Sequence, residues 1–213
     1  MIHLSNKNIK CIVAAILFIL IAYLVSFTLV DANLMGKAKL RIDLRPISES
    51  YMIIDSTRVD PQTGFKCSAF SSAYVMRHFG NEVNGDSIYE LMPEKMTDGY
   101  VYPKGILKFF KKENFKVAYN MGNIVSLKNS IAKGHPVIVM IKIQPDKDWL
   151  HYVPIVGYSP DSVYVAESIP ELCNSRGPNY SRTISTEEFK VLWNTSSFKM
   201  PLYRNTFIEI VKP

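Results

Sequence analysis

The chain has 213 residues, 47% of them hydrophobic and 21% charged, a balance that excludes the disordered and fibrous classes and fits one ordinary domain with an appendage. Its formal charge of +6 is scattered along the sequence, at Lys7 and Lys10, at Lys37, Lys39 and Arg41, and at Lys108, Lys111 and Lys112. That pattern is a solvated basic surface rather than a stripe interleaved with aromatics, and it excludes nucleic acid as a partner.

Residues 11–30 run for twenty positions without a charge, enough to cross a ~30 Å hydrocarbon core as a helix. Lys7 and Lys10 precede the run and favour an N-terminus-in orientation, with the body of the chain translocated. The expectation is a single-pass anchor within residues 1–32, holding an extracytoplasmic domain at the membrane. The alternative is a cleaved signal segment, cut beside Val30-Asp31-Ala32, and a secreted product. Residues 33–50 read as a linker, with Pro46 and Ser48, and the folded domain occupies 51–213.

The domain opens with a short apolar strand at Tyr51 to Ile54, and Asp60-Pro61-Gln62-Thr63-Gly64 makes a turn. A helix follows from Cys67 to a C-terminal stop at Gly80, with Ala69, Phe70, Ala73, Tyr74 and Met76 forming a broad buried face. Asp86 or Ser87 is placed to cap a short helix that ends before Pro93. Pro103 to Lys112 is a helix with proline in its first turn and Ile106, Phe109 and Phe110 inward. Phe115 to Tyr119 alternates as a strand. Ile124, Leu127 and Ile131 then mark a helix closed by Gly134. Pro136 to Ile143 is β-branched and reads as a central strand.

His151 to Tyr158 is the next strand, with Pro154 marking an irregular or edge portion. Val163 to Ala166 pairs with it across a tight turn, 169–183 is a loop, Ser185-Thr-Glu-Glu is a capping box, and Phe207 to Val211 ends the chain as a strand. Helices come first and a mostly antiparallel sheet follows, which is an α+β fold. Asn179-Tyr-Ser and Asn194-Thr-Ser match the short glycosylation acceptor pattern.

Thiol catalysis needs a nucleophile, a base, a group that orients the base, and donors for an oxyanion. Cys67 sits at a helix start, where unpaired N–H groups and the helix dipole favour a thiolate. Half of a Cys67–Cys173 bridge is the structural alternative. Of the four histidines, His3 lies outside the domain. His78 falls about 16 Å down the same helix, and His135 is in a Gly-His-Pro turn. His151, at a strand end, is the best base. Glu167 closes the neighbouring strand, where its carboxylate can fix the His151 tautomer and stabilise the imidazolium. Gln62, five residues before Cys67, offers a side-chain N–H to an oxyanion beside the backbone N–H of Cys67.

Phe-Lys-Cys67-Ser-Ala-Phe and its helix, Gly-His-Pro-Val-Ile-Val, His151-Tyr-Val-Pro-Ile-Val-Gly-Tyr, Val-Tyr-Val-Ala-Glu167-Ser and the closing Ile-Ser-Thr-Glu-Glu-Phe-Lys-Val-Leu-Trp together resemble the papain-like cysteine peptidases of family C39 and the C39-like domains. The resemblance covers residues 50–211. It implies a papain-like α+β fold, Cys67 as nucleophile, His151 as base, and a third member sixteen residues after His151. That member is Glu167 where the family usually has Asp. The family's oxyanion glutamine stands six residues before the cysteine, a position held by Pro61 in this chain, with Gln62 next to it. The implied function is a thiol peptidase acting on a peptide or protein substrate; no cofactor is expected, and no metal, since the histidines and cysteines lack ligand spacing. The alternatives are a C39-like acyltransferase and an inactive peptide-binding domain.

Overall fold

The computed structural model describes residues 6–54, 57–196 and 203–213; His3 lies outside them. Helix α1 (Asn6–Met35) extends past the charge-free run at both ends. Its Asn6–Val25 stretch is long and apolar enough to cross a membrane, and none of that stretch is buried against the rest of the chain. Gly36, at φ +86°, stops the helix in a conformation open to glycine. The last helical residue, Met35, is buried in the domain core.

Among the described residues, the domain is built on an eight-stranded sheet. β1 (Lys39–Arg41) runs parallel to β3 (Lys116–Gly122), and β3 is antiparallel to β8 (Thr206–Val211). β8 joins the central β4 (Val137–Lys142), followed by β5 (Leu150–Tyr158), β6 (Ser162–Val165) and β7 (Arg182–Ser185), all antiparallel. β2 (Tyr51–Met52) pairs with the far end of β5.

Alternation along β4 divides the interior in two. Ile138 and Met140 join a core with α2 (Cys67–His78), α3 (Gly85–Leu91) and α4 (Pro103–Lys112). Val137, Val139 and Ile141 join the other core, with α5 (Ile124–Ile131) and α6 (Thr186–Trp193). Met76, Phe109, Phe110 and Trp193 are all buried.

Several local expectations are corrected. The cap of α3 is Asn84, whose side chain accepts from the Ser87 N–H at 2.8 Å, in place of Asp86 or Ser87. The irregular portion expected of β5 is present, between Ile155 and Gly157, just after Pro154, which itself pairs opposite Ile138. The 169–183 loop contains a 3-10 turn at Pro170–Leu172 and, at its end, the start of β7. Part of the expected linker is strand β1, held by Arg41 ion pairs to Asp43 and Glu209 at 2.9 and 3.2 Å. Asn179 is buried, its side-chain amide bonded to the Ile53 carbonyl, so that acceptor pattern is part of the core.

Candidate active site

Cys67 is the first residue of α2, and the residue before it, Lys66, supplies no side-chain cap. In the first turn the Ala69 N–H donates to the Lys66 carbonyl at 2.9 Å, so the N–H groups of Cys67 and Ser68 are the ones that a helix start leaves without an intrahelical partner. One turn later, the Ser71 hydroxyl donates to the Tyr152 carbonyl at 2.8 Å, pinning α2 to β5 beside His151. This contact fixes the helix that carries the thiol against the strand that carries the imidazole.

His151 is almost wholly buried, and its Nε2 lies 2.7 Å from Oε1 of Glu167. The other ring nitrogen is left free of Glu167, and the Cys67 thiol lies near enough to His151 to act on its charge. Burial alone would lower the pKa of His151. The Glu167 charge, the Cys67 thiol and the bond to Glu167 outweigh it and raise the value to about 9.

Glu167 is fully shielded and held from three sides. Its Oε1 also accepts from the Ile169 N–H at 2.9 Å, and its Oε2 accepts from Nη1 of Arg182 at 3.1 Å. Burial pushes the carboxyl pKa up, but His151, the Ile169 N–H and Arg182 together hold it below its ordinary value. The backbone of Glu167 is clamped as well: its N–H donates to the Ser181 hydroxyl and its carbonyl accepts from the same group, both at 2.9 Å. Arg182 was not among the sequence candidates. The one local signal for it is strand alternation, which turns Arg182 and Ile184 inward together.

Cys67 and His151 open into a cleft of about 350 Å³, walled by Phe65 and Tyr100 on one side and Ile169 and Pro170 on another. Phe65 and Tyr100 stack with ring centroids 4.9 Å apart. Tyr100 and Trp149 also line a second, apolar hollow of about 400 Å³ that reaches Met35 at the end of α1. Gln62 lies on the cleft rim. Its Nε2 donates to the Gly64 carbonyl at 2.9 Å and its Oε1 accepts from the Ser168 hydroxyl at 2.8 Å. An amide has two N–H hydrogens, so this arrangement leaves one for another acceptor.

The structure thus brings Cys67, His151 and Glu167 into one chain of contacts, with Gln62 at the edge of the same cleft. His78 and His135 meet each other instead, ring nitrogens 3.3 Å apart. Cys67 and Cys173 are both free thiols, the first buried and the second exposed. Among the described residues, no group of three or more His, Cys, Asp or Glu is arranged to hold a metal ion.

The sequence profile of the Peptidase_C39 like family matches residues 57–200. Among solved structures, the chain is similar to the peptidase domain of Streptococcus ComA, a bi-functional ABC transporter, with TM-score 0.58 and 17% identity over 75% of this chain and 100% of that one. It is also similar to a C39-like protein of Bacillus anthracis, with TM-score 0.57 and 19% identity over 76% of this chain and 98% of that one. At these identities the likeness is one of fold. No curated protein matches the chain in sequence.

Proposed function

Because the chain belongs to the Peptidase_C39 like family, we propose that it is a membrane-anchored thiol peptidase working through Cys67, His151 and Glu167, with Gln62 assisting. The observation that carries this reading is the buried His151, bonded to the Glu167 carboxylate at 2.7 Å and lining one cleft with Cys67, whose thiol helps to hold the ring charged. Glu167 holds the ring with Nε2–H toward itself and favours the imidazolium.

In the proposed reaction the Cys67 thiolate attacks the carbonyl carbon of a peptide bond. The oxyanion that forms accepts from the Cys67 backbone N–H and from the remaining Gln62 amide hydrogen. His151 gives its proton to the departing amine, leaving a thioester. His151, now neutral, takes a proton from water as that water attacks, and the thiolate is regenerated. Arg182 serves as a positioning residue, since a glutamate has one more rotatable bond than an aspartate and the guanidinium fixes its far oxygen.

Helix α1 is read as the anchor. Phe18 is 73% exposed and Ile19 is 66% exposed on the Asn6–Val25 stretch, none of which is buried against the described residues, a surface that lipid would cover. The helix also runs unbroken through Val30-Asp31-Ala32, whereas a peptidase binds its cleavage site extended.

The test is mass-spectrometric mapping of a thiol-directed electrophile on the full chain. Cys11 and Cys173 are exposed thiols, so both are first replaced by Ser. Modification is expected at Cys67, and it is expected to drop about a hundredfold in His151→Ala, the lower end of what an acid–base partner contributes. Equal labelling with and without His151 would overturn the assignment.

A further inference from the structure

Lysines scattered in the sequence converge in the fold. A groove of about 510 Å³ is edged by Lys37, Lys39, Lys104, Lys108 and Lys111 and has Leu107 in its floor. Lys104, Lys108 and Lys111 follow the i, i+4, i+7 rhythm on one face of α4, where like charges repel unless an anion lies opposite. Glu94 meets Lys108 and lies near enough to Lys104 to feel its charge, and Lys37, Lys39 and Lys111 leave the groove with a net positive balance. Lys37, Lys39 and Lys111 are exposed.

The position of this groove matters as much as its charge. Gly36, which ends α1, lines it directly. The join is firm: Met35 is buried in the same core as α4, and the Tyr203 hydroxyl donates to the Gly36 carbonyl at 3.3 Å. The charge-free run ends at Val30, six residues before Gly36. As helix, that is about 9 Å, comparable to the distance over which the potential of a charged membrane surface persists.

We propose that this lysine-edged groove docks on the anionic phospholipid headgroups of the bilayer that holds α1. The proposal rests on the anchor reading of α1 and is independent of the chemistry at Cys67. Docking would give the domain a fixed attitude on the membrane. The chain just before α4, Tyr100 to Tyr102, lines the hollow beside the cysteine cleft, so its mouth would be held at a set height above the headgroups. A peptide substrate lying on the membrane would then reach Cys67 more readily than one free in solution.

The experiment uses the full chain in nanodiscs of phosphatidylcholine alone and in discs enriched in phosphatidylglycerol. A short pulse of an amine-acylating reagent is followed by mass-spectrometric quantification at each lysine. Each docked lysine is expected to contribute about fivefold to the docking equilibrium. Acylation of Lys37, Lys39 and Lys111 is therefore expected to slow at least tenfold in the anionic discs, while Lys142 and Lys190 keep their rates and high salt removes the difference. In a Lys104→Gln, Lys108→Gln, Lys111→Gln variant, docking is expected to weaken about a hundredfold, returning Lys37 and Lys39 to their rates in phosphatidylcholine. Equal rates in the two discs would overturn the proposal. So would equal protection by inorganic phosphate in phosphatidylcholine discs, which would mark a small-anion site. Failure of the chain to enter discs at all would overturn the anchor reading and this proposal with it, leaving the Cys67 labelling result untouched.

Discussion

Replacing Glu167 by Gln isolates the charge on which the His151 arrangement depends. The side chain keeps its size and an oxygen to accept from Nε2 of His151, but the anion facing both His151 and Arg182 is gone. In the native protein the His151 value rises from an ordinary 6.5 to about 9, which corresponds to about 3 kcal/mol of preference for the charged ring. Without the carboxylate, burial dominates and the midpoint is expected to fall to 6.5 or below. The consequence for stability has a definite sign. A folded value raised above the unfolded one stabilises the protein fully below about 6.5, and that contribution disappears as the pH climbs through about 9. In Glu167→Gln the sign reverses: His151 is neutral in the fold, and the variant loses ground to the unfolded state as the pH falls below about 6.5. Histidine side-chain NMR, assigned with His151→Asn, reads the midpoint, and urea unfolding at several pH values reads the linkage. A midpoint still at about 9 in the variant would refute the claim that Glu167 sustains the imidazolium.

Arg182→Met is expected to destabilise the fold by about 1.5–3 kcal/mol, because it takes one charge-assisted hydrogen bond from the buried Glu167, which keeps His151 and the Ile169 N–H. The Glu167 carboxyl should also rise, so the acid unfolding midpoint moves to higher pH; an unchanged acid limb would show that Arg182 only packs. Gly105→Ala tests the seat of α4. A methyl there would stand 2.4 Å from the Pro93 carbonyl oxygen and 2.5 Å from Val101, and a loss of about 1–3 kcal/mol is expected from the forced backbone shift. A thermal melt showing no loss would mean that the 93–101 segment moves aside freely.

Much of this protein was written in local signals. Proline in the first turn and an apolar stripe set α4 at the residues expected, and the Ser185 cap does bond the Glu188 N–H at 3.2 Å. The β-branched run from Val137 became the middle strand, because a segment apolar on both faces is stable only where both are covered. The meeting of His151 with Glu167 was also legible from the hairpin, although β6 stops at Val165 and Glu167 lies two residues beyond it. What escaped depends on partners distant in sequence. Lys39–Arg41 reads as linker because three polar-flanked residues have no strand signal of their own; β3, some eighty positions away, supplies the ladder. Arg182 acquires its role only when β7 is laid beside β6 and its guanidinium meets Glu167. The basic surface shows the same division most plainly. The sequence determines that the lysines exist and spreads them along the chain. Folding α4 against the end of α1 is what gathers five of them into one groove, because proximity between charges is set by tertiary packing and not by their separation along the chain.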